Sequence, residues 1–172
     1  MPLPSLPNAE SLRTLRAEDQ RAVLDALFEP SQAIHSLFIP TLESMTFASY
    51  DALIDQCHGQ MVRLLADPSP DHSLHSILSS HPRLGAKKVD SAQSSAEQAQ
   101  LNSGGDGAEL AELNAQYEER FPGLRYVVFV NGRGRPEIMD DMRKRIERGD
   151  FSMEEREGVK ACCRRGLRLT QT

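Results

Sequence analysis

Tyr50, Leu53, Ile54, Cys57, Met61, Leu64 and Leu65 follow one another at three- and four-residue steps, and no other feature constrains the chain so tightly. That spacing puts all of them on one face of a helix. Asp67-Pro68-Ser69-Pro70 then ends the stripe, because a residue before proline is pushed out of helical conformation. The same period recurs along the chain. Leu12, Leu15, Val23, Leu24, Leu27 and Phe28 carry it over about residues 8–28, and it stops before Pro30. Ile34, Leu37, Phe38 and Ile39 run up to Pro40. Leu74, Ile77, Leu78 and His81 share a face of a shorter helix that Pro82 stops at His81. Ser94-Ser95-Ala96-Glu97 has the Ser-x-x-Glu form of a capping box and should open a helix. A loop over residues 103–107 follows, then a helix marked by Leu110, Leu113, Tyr117 and Phe121 and ended by Pro122-Gly123.

Residues 126–130 are β-branched or aromatic and precede Asn131-Gly132, which taken alone reads as a short strand entering a turn. Pro136 opens a helix with Ile138, Met139, Met142 and Ile146 on one side. Ser152 and Glu155 form a second capping box, expected to start a last helix with Val159, Cys162, Cys163 and Leu167. Helices with one apolar face must bury those faces against each other. The expected class is therefore all-α, a single-domain bundle of about seven or eight helices spanning 1–172, with residues 1–7 flexible.

With 172 residues the chain can build one domain with a real core, and two would be a squeeze. Its formal charge is −5, so no general field draws nucleic acid or an anionic membrane, and an anionic small molecule needs local positive charge. Cys57, Cys162 and Cys163 are odd in number and two are adjacent, which is no disulfide framework and fits a reducing compartment. No run approaches the roughly 18 apolar residues of a membrane span. Residues 1–7 lack the basic and apolar regions of a secretory signal. The last residues are not Ser-Lys-Leu, so an intracellular protein is expected, cytoplasmic or peroxisomal without a C-terminal peroxisomal signal.

Three places could carry chemistry. His81 lies in line with Leu74, Ile77 and Leu78, so it faces inward. At a helix C-terminus the dipole favours imidazolium, which suits an acid or base, and equally a capping or core histidine. Ser94 and Glu97 could meet an anion at a helix N-terminus, where free N–H groups point outward, but capping alone explains them. Arg164, Arg165 and Arg168 stand near the end of the last helix, where one could turn inward to hold a carboxylate. His58, His72, His75 and His81 fit no common metal-ligand spacing, so no metal is expected. No phosphate-cradling loop, HExxH, CxxC or nucleophile elbow is present. The rival readings are a metal-dependent hydrolase of a ureide or cyclic amide built on His72, His75 and His81, and an inactive helical interaction module.

His81-Pro82-Arg83-Leu84-Gly85, then Ser94-Ser95-Ala96-Glu97-Gln98, then Leu113-Asn114-Ala115-Gln116-Tyr117-Glu118-Glu119-Arg120-Phe121 resemble, in order, three motifs of the OHCU decarboxylase family. OHCU is 2-oxo-4-hydroxy-4-carboxy-5-ureidoimidazoline. The family motifs are H-P-x-L-G, S-x-x-E-Q and L-N-x-x-Y-x-x-R-F, and Phe28-Glu29 is similar to its early F-E. The resemblance covers about residues 18–169. It implies an all-helical lyase of uric acid breakdown, commonly a homodimer, that turns OHCU, an anionic small molecule, into (S)-allantoin and carbon dioxide without a metal or organic cofactor.

By position, the resemblance implies that His81 and Glu97 are catalytic. It implies substrate contacts from Pro82, Ser94 and Gln98, and from the backbone of Tyr126, Val127, Val128, Phe129 and Val130. The late L-R-L matches Leu167-Arg168-Leu169, which makes Arg168 the expected anion clamp, with Arg165 as its rival. The chain departs from the family's F-G-F-P-F, having Phe121-Pro122-Gly123-Leu124-Arg125-Tyr126 instead.

Overall fold

The longest apolar stripe becomes the central helix of the protein. The computed structural model describes residues 6–66, 73–86 and 107–170. A short 3-10 helix (Ala9–Thr14) leads into α1 (Ala17–Leu27), α2 (Gln32–Ser44), α3 (Tyr50–Ala66) and α4 (Ser73–Ser79). After residue 106 come α5 (Gly107–Arg120), α6 (Arg135–Arg148) and α7 (Phe151–Thr170). No strand occurs among the described residues, so the architecture is all-α, as the periodicity requires. No helix among them is long and apolar enough to cross a membrane.

α3 presents Leu53, Ile54, Cys57 and Met61 to the core, and α7 packs along it with Val159, Cys162 and Cys163. All three cysteines are buried free thiols. α7 also touches α1 and α4, which makes it the element the others lean on. Gly166 permits a close approach to α1 and α3. A Cβ there would stand 3.2 Å from the Leu27 carbonyl oxygen at the end of α1 and 3.2 Å from Ile54 Cδ1.

The structure departs from the helical spacing in several places. The first apolar stretch is broken at Leu15 and Arg16, both extended. At residue 7, Tyr50 donates to the Pro7 carbonyl at 2.8 Å, and residues 1–5 of the segment expected to be flexible lie outside the described residues. α2 runs through Pro40 to Ser44. Proline there removes one helical hydrogen bond at a cost of about 3 kcal/mol, and burial of Phe38, Thr41 and Leu42 on the continuing face outweighs it. α4 ends at Ser79, two residues before His81, since Pro82 already bars helical geometry at the residue before it. Residues 126–130 form neither a helix nor the expected strand. α7 starts at Phe151 rather than Ser152, because Asp150 supplies the cap by accepting from Met153 N at 2.9 Å. Glu155 is thereby left to pair with His75 at 2.6 Å. The capping box at Ser94 and Glu97, and residues 103–106 of the expected loop, lie outside the described residues.

One buried carboxylate ties the C-terminal half together. Glu154, 1% exposed, accepts from the Tyr117 hydroxyl at 2.7 Å and pairs with Arg145 at 3.4 Å and with Arg148. Arg145 also pairs with Asp141 at 3.0 Å and stands 4.9 Å over the Tyr126 ring. A buried charge that loses its partners costs several kcal/mol. Glu154→Ala is therefore expected to lower the unfolding free energy by about 3 kcal/mol or more, and Tyr117→Phe by about 1–2 kcal/mol. Urea denaturation monitored by far-UV circular dichroism checks both, and near-wild-type midpoints would refute the role of the network.

Candidate active site

The H-P-x-L-G segment turns the chain from α4 toward α5, and each of its residues has a physical task. Ser80 closes α4 by donating its hydroxyl to the Ile77 carbonyl at 2.7 Å. His81 follows, 4% exposed, and Pro82 prevents further helix. Leu84 packs on the core. Arg83 to Ala86 forms a turn closed by Ala86 N donating to Arg83 O at 3.1 Å, with Gly85 third at φ +82°. That φ is the one a type II turn demands at its third residue, which glycine adopts without strain. A Cβ there would also stand 3.0 Å from Leu110 Cδ2.

The turn is pinned from two sides. Asn114 of α5 donates to the Leu84 carbonyl at 2.9 Å and to the Leu110 carbonyl at 2.8 Å. Arg125, in the segment after α5, donates from Nη1 to the His81 carbonyl at 2.9 Å. The imidazole has a third neighbour from α7. Arg165, 6% exposed, sets Nη1 3.3 Å from His81 Nδ1 and 2.9 Å from Glu29 Oε2. Glu29, just past the end of α1, is itself 5% exposed.

A guanidinium donates and never accepts. Its approach to Nδ1 therefore makes that nitrogen the acceptor, and the neutral ring carries its proton on Nε2. Nε2 is buried with no hydrogen-bond partner among the described residues. Burial pushes the His81 pKa down to about 3, and the charges of Arg165 and Arg125 act in the same direction. The imidazolium expected from the helix dipole is thus not favoured. His81 stands beyond the last turn of α4, and desolvation with two nearby cations outweighs the dipole. The site holds a neutral imidazole with one N–H to give.

A cleft of about 710 Å³ opens at the turn that carries His81. Glu29, Pro82, Asn114, Glu118 and Arg125 line it, and His81 lies between the lining residues Ser80 and Pro82. Ser94, Glu97 and Gln98 lie outside the described residues. The stretch 126–130 is not brought to this cleft. The Tyr126 hydroxyl donates to Asp141, and the Val127 carbonyl accepts from Arg145 at 3.4 Å. Val130 is 1% exposed. Val128 and Phe129 line a second cleft of about 260 Å³ with Lys160 and Arg164. Arg168 is exposed, its guanidinium 5.8 Å over the Phe129 ring. Of the two rival arginines, Arg165 is the one beside His81.

Among the described residues, no three His, Cys, Asp or Glu side chains gather as a metal site. His75 is engaged with Glu155, and His72 lies outside the described residues. Spacing alone singled out neither Glu29, Arg125 nor Asn114. The available signal was a carboxylate in the apolar context of Leu27-Phe28-Glu29-Pro30, because such a group needs a buried partner that a linear pattern does not name.

The family model for OHCU decarboxylase matches residues 13–168, a span that holds Glu29, His81, Arg125 and Arg165. The chain belongs to the OHCU decarboxylase family. It is accordingly a decarboxylase of urate degradation. Among curated proteins, none matches the chain. For this decarboxylase the held-neutral imidazole has a consequence for folding. Unfolded, a histidine titrates near 6.5, whereas folded His81 does so near 3. Between those values the unfolded chain binds the extra proton, so stability falls as pH is lowered through that window. His81→Asn should remove this contribution and flatten the acid limb of stability by up to about 1.4 kcal/mol per pH unit. Denaturant titrations from pH 6.5 down to pH 4 check it, and equal slopes in both proteins would contradict a neutral buried ring.

Proposed function

We propose that this family member converts OHCU to (S)-allantoin and carbon dioxide in the His81 cleft, with no metal or organic cofactor. The substrate supplies its own electron sink. The carbon that bears the carboxylate adjoins a ring C=N bond. When the C–CO2⁻ bond breaks, its electron pair forms a C=C bond and displaces the C=N π electrons onto nitrogen, which takes a proton. The resulting enol returns its hydroxyl proton and receives one at the ureido-bearing carbon, giving the ketone. One proton is consumed overall as the carboxylate leaves as neutral carbon dioxide.

The protein's task is then to orient the ring, stabilise the enol and protonate one face. The observation that carries this reading is the buried Nε2–H of His81, held by Arg165 on the opposite side of the ring. Such a group donates to an oxygen or nitrogen on which negative charge builds. Glu97 completes the catalytic pair in this reading, and Ser94 and Gln98 bind the substrate. Arg165, rather than Arg168, is the arginine of this reading, and it acts by setting the tautomer of His81 instead of clamping an anion. The active form is taken to be a homodimer, and the ligand an anionic ureide rather than a nucleic acid or a membrane.

Freshly generated OHCU, followed by circular dichroism of the allantoin formed, tests the reaction. His81→Asn should cut kcat by roughly 10²–10⁴-fold with the helical spectrum retained, and near-normal turnover would reject the assignment. Arg165→Lys keeps the charge but loses the planar donor geometry, so a loss of about tenfold or more in kcat is expected. Arg168→Ala should stay within about threefold, as for an exposed side chain. The reverse order of these two would return the role to Arg168.

A further inference from the structure

We propose that Arg125 binds the carboxylate of the substrate and so determines the cleft's preference for anionic ureides. The inference rests on the cleft being the substrate site, as proposed above, and adds the residue that recognises the charge. It follows from the ion pairs around the cleft. Glu29 faces Arg165 at 2.9 Å. Glu118 holds Arg83 through two hydrogen bonds, of 2.6 and 2.7 Å. Arg125 also lines the cleft, and it makes no ion pair among the described residues. Charges that are already matched offer little to an incoming anion, so the attraction falls to Arg125.

Arg125 is also held in position. Its Nη1 hydrogen bond to the His81 carbonyl anchors one corner of the guanidinium beside the histidine, and the remaining N–H groups are left for a ligand. The protein as a whole carries −5, so an anion reaches the cleft only through such local positive charge. The residue lies where the chain departs from the family's F-G-F-P-F, so this contact is not one the shared motifs supply. With one corner committed, the guanidinium offers the carboxylate a single edge. That contact is made about equally to the bound substrate and to the transition state, where the departing carboxylate is still in place, so its effect belongs in KM more than in kcat.

Calorimetric binding of allantoate, a ureide with a carboxylate, and of allantoin, which has none, tests the proposal on the full chain and two variants. Arg125→Gln retains an N–H for the His81 carbonyl and removes the charge. It should weaken allantoate about tenfold or more, equivalent to about 1.4 kcal/mol, and leave allantoin within about twofold. In turnover, KM should rise by a similar factor with kcat within about threefold. Arg125→Lys should be intermediate for allantoate and unchanged for allantoin, and it carries the test should the glutamine variant not fold. Equal losses for both ligands, no loss for either, or a wild-type protein that binds neither would overturn the proposal. A wild-type protein that binds allantoate through Arg125 yet leaves OHCU unchanged would sink the decarboxylation reading and keep the anion subsite. Normal KM in Arg125→Gln with OHCU turned over would do the opposite.

Discussion

Arg165 brings a permanent positive charge into the interior, and three segments are arranged around it. Removing a guanidinium from water costs several kcal/mol unless a partner and hydrogen bonds replace the lost solvent. Glu29, just past α1, supplies the carboxylate, and His81, just past α4, supplies a neutral acceptor. The arrangement needs α7 to lie close against the end of α1. Gly166, the next residue after Arg165, provides that closeness, because a side chain there would press on the Leu27 carbonyl. Helix packing and site electrostatics are therefore one problem solved at one place.

The family motifs acquire separate physical meanings in this frame. In L-N-x-x-Y-x-x-R-F, Asn114 holds the turn after His81, and Tyr117 serves the buried carboxylate of Glu154. Arg120 donates to the Gly149 carbonyl at 3.2 Å, and Phe121 packs 4.8 Å from the Tyr117 ring. Its tyrosine, arginine and phenylalanine thus fix where α5 sits against α6 and α7, while Asn114, Ala115 and Glu118 line the cleft. In H-P-x-L-G the order is reversed: the histidine is the chemical group, and the rest shape the turn that presents it. Positions within one motif therefore need not share one function.

The electrostatic design suits a reaction in which the substrate accepts its own electrons. A histidine of ordinary pKa would exchange its proton with water near neutrality. His81 does not, because burial and two arginines hold it neutral, and Arg165 selects which nitrogen carries the proton. The ring becomes a fixed donor whose direction is set before any ligand arrives, and preorganisation of that kind lowers the reorganisation needed as charge develops.

Helical periodicity placed α3 from Tyr50 to Ala66, and it placed the stripes of α5 and α6 with equal success, since the period of 3.6 is a local property. Pro40 misled, because the cost of a missing hydrogen bond is local while the burial that repays it is not. The Ser152 cap misled for a related reason: Asp150 stood two residues earlier and competed for the same role. His81 was legible as an inward-facing candidate from its register with Leu74, Ile77 and Leu78. Its charge state was not, because the dipole of its own helix is the one electrostatic effect visible in linear order. By itself, the sequence determined most of the described helices and the all-α class, through periodicity and backbone stereochemistry. Only the tertiary structure decided that Glu29, His81, Arg125 and Arg165 meet, and that the histidine is neutral. Those outcomes depend on desolvation and on charges contributed by distant segments, which exist only once the helices have packed.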